Sequence, residues 1–114
     1  MPFDPLAMAE VVQWLAFAQN EVYFGLQWAR GVVKGLRGGS LEEYQGYARK
    51  ALDTLTWRLK EHDWLALDRP TIADIACYPY VKRAPEGGVA LEPYPAVKAW
   101  LARCGALPGW VKLD

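Results

Sequence analysis

The sequence predicts an all-α fold: a bundle of four to five helices forming one domain over residues 1–114. Three observations predict it. Apolar side chains recur at spacings of three and four, the period of one helix face. Two Ser/Thr-x-x-acid boxes stand ahead of such runs, at Ser40 and Thr71, where they satisfy the unpaired N–H groups of a helix start. No stretch alternates with period two between turn residues, so no sheet is expected.

The first helix opens at Asp4-Pro5. An aspartate at the N-cap accepts from free amides, and proline at the first helical position gives up an N–H that has no partner there anyway. From there Leu6, Val11, Val12, Leu15, Val22, Leu26, Ala29, Val33 and Leu36 keep roughly helical spacing. Gly25, Gly31 and Gly35 weaken this helix, and Gly38-Gly39 ends it. A run of about 30 residues is long for a globular helix, and a glycine offers a place to bend.

Ser40-Leu41-Glu42-Glu43 reads as a capping box: the serine oxygen accepts an amide three residues on, and Glu43 reaches back to the serine N–H. Behind it Leu41, Tyr44, Ala48, Leu52, Leu55 and Leu59 form one stripe, which predicts a second helix from 41 to about 62. Asp68-Arg69-Pro70 is a turn. Thr71-Ile72-Ala73-Asp74 is a second box, with Pro70 and Ile75 placed as a hydrophobic staple. A short helix follows to Tyr80 or Arg83, bent by Pro79. Pro85 to Gly88 is loop. Pro95 starts a last helix carrying Val97, Trp100, Leu101 and Cys104, closed by Gly105, and the tail lays Trp110 against the body. The sum is an antiparallel pair of long helices with shorter ones packed on it.

Composition excludes several functions. Thirteen basic and 13 acidic residues cancel and are scattered, so no phosphate-binding face is expected and nucleic acid is excluded as a partner. No apolar stretch approaches the roughly 18 residues that cross a bilayer. Met1-Pro2-Phe3-Asp4 is acidic and broken by proline, unlike a secretory signal. Cys77 and Cys104 show no close pairing, so a reducing, cytoplasmic protein with free thiols is expected. Six Trp, six Tyr and three Phe are a heavy aromatic load, and some of these rings are expected at an interface or pocket rather than in a core.

The chemistry-bearing residues point mostly to structure. Thr71 and Asp74 are already used by their capping geometry, which disfavours a catalytic carboxylate. Cys77 lies past the first turn of its helix among apolar neighbours and reads as a buried inert thiol, as does Cys104. The single His62 follows Glu61 at a helix end and suits the helix dipole better than base catalysis. One histidine without a serine or cysteine motif makes no triad, and no spacing suggests a metal site. Gly87-Gly88 lacks the Lys-Ser/Thr of a phosphate loop. No catalytic residue and no metal ligand is assigned.

The third helix carries a more specific pattern. Asp68-Arg69-Pro70-Thr71-Ile72-Ala73-Asp74-Ile75-Ala76 resembles the helix-6 motif of the glutathione transferase superfamily, whose threonine and aspartate form a buried capping box. Pro93-Tyr94-Pro95-Ala96-Val97-Lys98-Ala99-Trp100-Leu101-Ala102-Arg103 is similar to the family's next helix, followed by Ala106-Leu107-Pro108-Gly109. Asp4-Pro5-Leu6 leading to Trp14-Leu15-Ala16-Phe17-Ala18-Gln19 is similar to the first helix of its C-terminal domain, and bacterial members look most alike.

This resemblance implies a glutathione transferase C-terminal-domain-like helical bundle. It implies half of an enzyme: the half that lines the hydrophobic co-substrate pocket and supplies much of the dimer surface. The family's thioredoxin-like domain, which grips glutathione and carries the catalytic Ser, Cys or Tyr, is expected to be absent from this chain. Glutathione is then a ligand only if another chain supplies that domain. Tyr23 and Phe24 stand where some bacterial members approach glutathione from the first helix, and Asn20 and Tyr78 are further candidates for that wall. Core packing is the competing reading for these aromatics. Ala18 replaces the acidic residue that family members usually carry next to Gln19, so no polar role is assigned there.

Three functions follow in order. The chain is a transferase component, without catalysis of its own, since nothing here is placed to activate a thiol. It is a stand-alone protein–protein interaction module that kept the fold. Or it is a binding protein for an apolar ligand. The face that the thioredoxin-like domain covers in the family is apolar and rarely tolerated bare, so a homodimer or a thioredoxin-like partner chain is expected.

Overall fold

The computed structural model describes residues 4–108. Among them the chain is helical without strands. α1 (Pro5–Phe17) runs directly into a π-helical segment (Ala18–Gln27) and then α2 (Trp28–Val33), which together make one rod. α3 is Leu41–Leu59, α4 is Ile72–Lys82, a 3₁₀ turn spans Ala84–Gly87, and α5 is Pro95–Gly105. These are the predicted helices in the predicted order. The expected packing of Trp110 lies outside the described residues.

The π segment packs against both α3 and α4, and α5 packs against the same two helices. One core results. The first rod contributes Val11, Trp14, Ala18, Val22 and Leu26, and α3 adds Ala48, Leu52, Leu55 and Leu59. Ala73, Cys77 and Val81 come from α4, and Val97, Trp100 and Cys104 from α5.

The inner stripe of the first rod differs from the one expected. Leu6, Val12, Val33 and Leu36 are exposed, while Trp14, Ala18 and Gly25 face inward. Close approach decides this rather than hydrophobicity. A Cβ on Gly25 would sit 2.5 Å from the Ala48 nitrogen, so only glycine lets the π segment cross α3 at this distance. The irregularity of the rod is a change of hydrogen-bond register, and Gly25 lies within it.

The helix starts hold with amendments. Asp4 occupies the N-cap of α1, but its side chain makes no cap bond. Ser40 Oγ accepts from Glu43 N at 3.2 Å, whereas the Glu43 carboxylate accepts from the Tyr47 hydroxyl at 3.2 Å instead of closing the box. At α4 both halves of the Thr71/Asp74 box are present. Pro70 and Ile75 are exposed rather than stapled inward. α3 ends at Leu59, short of the predicted 62, so His62 lies beyond the helix. It contacts Asp68 Oδ1 through Nδ1 at 2.7 Å instead of sitting in the last turn.

Between α3 and α4 the chain turns through Leu67 and Asp68, both in the left-handed region (φ 61° and 50°). This costs energy for residues with a Cβ, and surrounding contacts hold it. Glu10 Oε1 accepts from Leu67 N at 3.2 Å, and Arg58 Nε donates to the Trp64 carbonyl at 3.1 Å. Leu65 and Ala66 are thereby fully buried.

Candidate functional site

A cleft of about 450 Å³ opens between the π segment and α4. Ala18, Gln19 and Tyr23 line it from the π segment, and Ala76 and Tyr80 from α4. The helix registers explain the pairing. Hydrogen bonds five residues apart bring Ala18 and Tyr23 onto one wall, and residues four apart on an α-helix, Ala76 and Tyr80, share a face. The opposite face of α4 holds Cys77 and Val81 in the core. The two tyrosine rings meet edge to face, 5.4 Å apart at 80°.

The volume lies in the range of small-molecule sites, and the lining is mostly apolar with a few polar groups. Among the described residues no carboxylate, ammonium or guanidinium lines it. The polar side chains that the described residues bring to it are two phenols and one amide.

The four residues expected at a pocket wall are dispersed. Tyr23 lines the cleft. Asn20 is exposed and donates from Nδ2 to the Ala16 carbonyl at 2.8 Å. Phe24 turns the other way, into an aromatic cluster with Trp28, Tyr44 and Tyr47 at 4.4, 5.8 and 5.2 Å. The Arg37 guanidinium lies 3.8 Å over the Trp28 ring in the same cluster. Tyr78 is buried behind α4 against Trp100, 6.4 Å away. Sequence reading missed Gln19, Ala76 and Tyr80. The signal for the last two was available, because placing Cys77 in the core turns Ala76 and Tyr80 outward together.

Thr71 and Asp74 form a structural centre. Asp74 is fully buried. Its Oδ2 accepts from Thr71 N at 3.0 Å, while its Oδ1 accepts from Leu65 N at 3.1 Å and Trp100 Nε1 at 2.8 Å. Both thiols are buried and free. Burial, reinforced by the Asp74 charge, raises both above the ordinary thiol range, Cys104 to about 12. Neither is a nucleophile at neutral pH. Among the described residues no group of three His, Cys, Asp or Glu side chains could hold a metal ion. No described helix is long and apolar enough to cross a membrane.

The family model for the glutathione S-transferase C-terminal domain matches residues 40–108. The chain belongs to this family. Glutathione transferases use glutathione as a substrate and commonly form dimers. The disulfide-bond oxidoreductase YfcG of Escherichia coli K12 is 36% identical over 69 residues, covering 60% of this chain and 32% of that protein. Glutathione S-transferase D7 of Anopheles gambiae is 40% identical over 58 residues, covering 48% of this chain and 27% of that protein. A solved glutathione S-transferase from Pseudomonas fluorescens Pf-5 superposes with a TM-score of 0.91 at 32% identity, covering the whole chain and 60% of that structure. The chain thus spans about a third or less of the curated transferase-type relatives it matches.

Proposed function

We propose that residues 1–114 act as one domain, the helical half of a glutathione transferase-type site. The cleft walled by Tyr23 and Tyr80 takes the apolar co-substrate, and this cleft is the observation that carries the reading. Tyr23 touches the co-substrate. Phe24 and Tyr78 pack in the layers behind their helices, and Asn20 stands exposed on the π segment. A transferase must lower the pKa of the glutathione thiol. Among the described residues no cation lines the cleft, so thiol activation is assigned to a thioredoxin-like domain, on the same polypeptide or another.

Val12 of α1 and Ile72 and Ile75 of α4 are 41–55% exposed on two helices that pack together. They support this face as the seat of that domain, and a second copy of the chain completes a dimer. The protein is accordingly expected to self-associate at tens of micromolar concentration in light scattering after size exclusion.

The test is conjugation of glutathione to 1-chloro-2,4-dinitrobenzene. The chain alone leaves the solution rate unchanged. Fusion behind a thioredoxin-like domain of the family produces an enzymatic rate. In the fused protein Tyr23→Ala raises KM for the nitroarene by about tenfold, roughly the loss of one well-packed aromatic contact. An unchanged KM removes Tyr23 from the pocket.

A further inference from the structure

We infer that Arg30, Lys34 and Arg83 form a binding site for a phosphate monoester, and that the Glu86 carboxylate sits in it as an internal competitor. None of these four residues lines the cleft between the tyrosines.

Dispersed in sequence, the three cations make no basic run, and folding collects them. Arg30 and Lys34 lie one turn apart at the end of the first rod, and Arg83 is the C-cap of α4. They meet on one carboxylate. Glu86 Oε1 accepts from Arg30 Nε at 3.1 Å and lies 3.0 Å from Lys34 Nζ, while Arg83 Nε stands 3.9 Å from Oε2. Backbone anchors the arrangement. A Cβ on Gly87 would sit 2.8 Å from the Arg30 nitrogen, and Gln45 Nε2 donates to the Gly87 carbonyl at 2.9 Å. The turn that carries Glu86 is therefore pressed onto the helix that carries Arg30.

Charge is unbalanced there. Among the described residues none of the three cations has a second carboxylate within 4.0 Å. Three positive charges face one negative, and the carbonyl ends of α2 and α4 offset only about half a charge each. Lys34 and then Arg30 hold the Glu86 carboxyl below its ordinary range. Among the described residues only the Nε of Arg30 is hydrogen-bonded, so the Nη groups of both arginines are left to donate. Three cationic groups suit three terminal oxygens and a charge near −2 better than the two oxygens and single charge of a carboxylate. The four side chains are 20–42% exposed, so a ligand can reach them from solvent and turn Glu86 out.

Phenyl phosphate and benzoate, titrated into the 114-residue chain in low salt at about pH 7.5, test this. There the first is mainly a dianion and the second a monoanion. Backbone amide signals of residues 82–88 report binding in NMR. Phenyl phosphate is expected to saturate and to bind about tenfold tighter than benzoate. Glu86→Gln keeps a side-chain oxygen and removes the competing charge, so it should tighten phenyl phosphate by about tenfold, while Arg83→Gln should weaken it by about as much. The two variants move in opposite directions, which a loss of folding cannot mimic. Free phosphoserine against a phosphoserine heptapeptide identifies the source of the group: equal affinity assigns a small ester, and a tighter peptide assigns a phosphorylated protein. Equal binding of phenyl phosphate and benzoate overturns the phosphate assignment. An unchanged affinity in Glu86→Gln overturns the competitor role. No saturable shift by about 10 mM phenyl phosphate, in the unaltered chain and in Glu86→Gln alike, overturns the site itself and leaves the cleft reading standing.

Discussion

Asp74 accepts three N–H groups, from Leu65, Thr71 and Trp100, that belong to three separate parts of the chain. One buried carboxylate therefore fixes the start of α4, the loop before it and the face of α5. Asp74→Ala strands these donors away from water, and each orphan costs about 1–3 kcal/mol. The variant is expected to lose about 3 kcal/mol or more in urea denaturation, well beyond the loss of a cap alone. Trp100→Phe should cost about 2 kcal/mol and be non-additive with it, since both break one bond. A midpoint unmoved by either change would refute the hub. The Thr71/Asp74 pair was legible in sequence because a capping box has fixed local spacing. The Trp100 partnership was not, because it joins residues 26 apart. A buried indole N–H demands an acceptor, but nothing local says which one.

At the scale of elements, the starts of α3, α4 and α5 followed from capping residues, prolines and period. The π segment did not, since no residue type announces a change from four- to five-residue bonding. The family resemblance put Tyr23 and Phe24 on one wall, whereas the structure sends them to the cleft and to the Trp28 cluster. Hydrophobic counting likewise favoured Leu6 and Val12 over the small residues that permit contact. Gly25 and Gly46 make a clean comparison. At Gly25 a Cβ meets Ala48 and Tyr47 backbone atoms at 2.5–2.8 Å, and backbone cannot yield. Gly25→Ala should therefore cost about 3 kcal/mol. At Gly46, inside α3, a Cβ meets nothing within 4 Å. Gly46→Ala should stabilise the protein by roughly 0.5–1 kcal/mol through backbone entropy. Thermal melts of the two variants moving in the same direction would contradict the crossing geometry.

For the whole molecule, the two buried thiols set an alkaline limit. In the folded protein Cys104 is raised to about 12 and Cys77 is raised as well, from an ordinary value of 9.0. The unfolded chain therefore releases these protons first. The stability they contribute is complete below pH 9 and is lost as pH rises from 9 towards 12. Unfolding free energies from urea denaturation at pH 8 and 10.5 should differ by about 2 kcal/mol per thiol, and Cys104→Ala should remove its share of that difference. An aromatic disulfide reagent should find no reactive thiol in the native protein and two per chain in denaturant. Family kinship was legible from the segment beginning at Asp68, where local motif and fold coincide. The cleft was not, because it arises only when two helices distant in sequence are brought together.

The clasp of Glu10 on Leu67 joins residues 57 apart, and the Arg30–Glu86 bridge joins residues 56 apart. Contacts of such separation close late. During synthesis, then, these two clasps form only after the segment from Leu67 to Glu86 has left the ribosome. Until α4 follows, the nascent chain carries Val11 and Trp14 of α1 without that helix's cover, a stretch of translation in which a chaperone has something to hold.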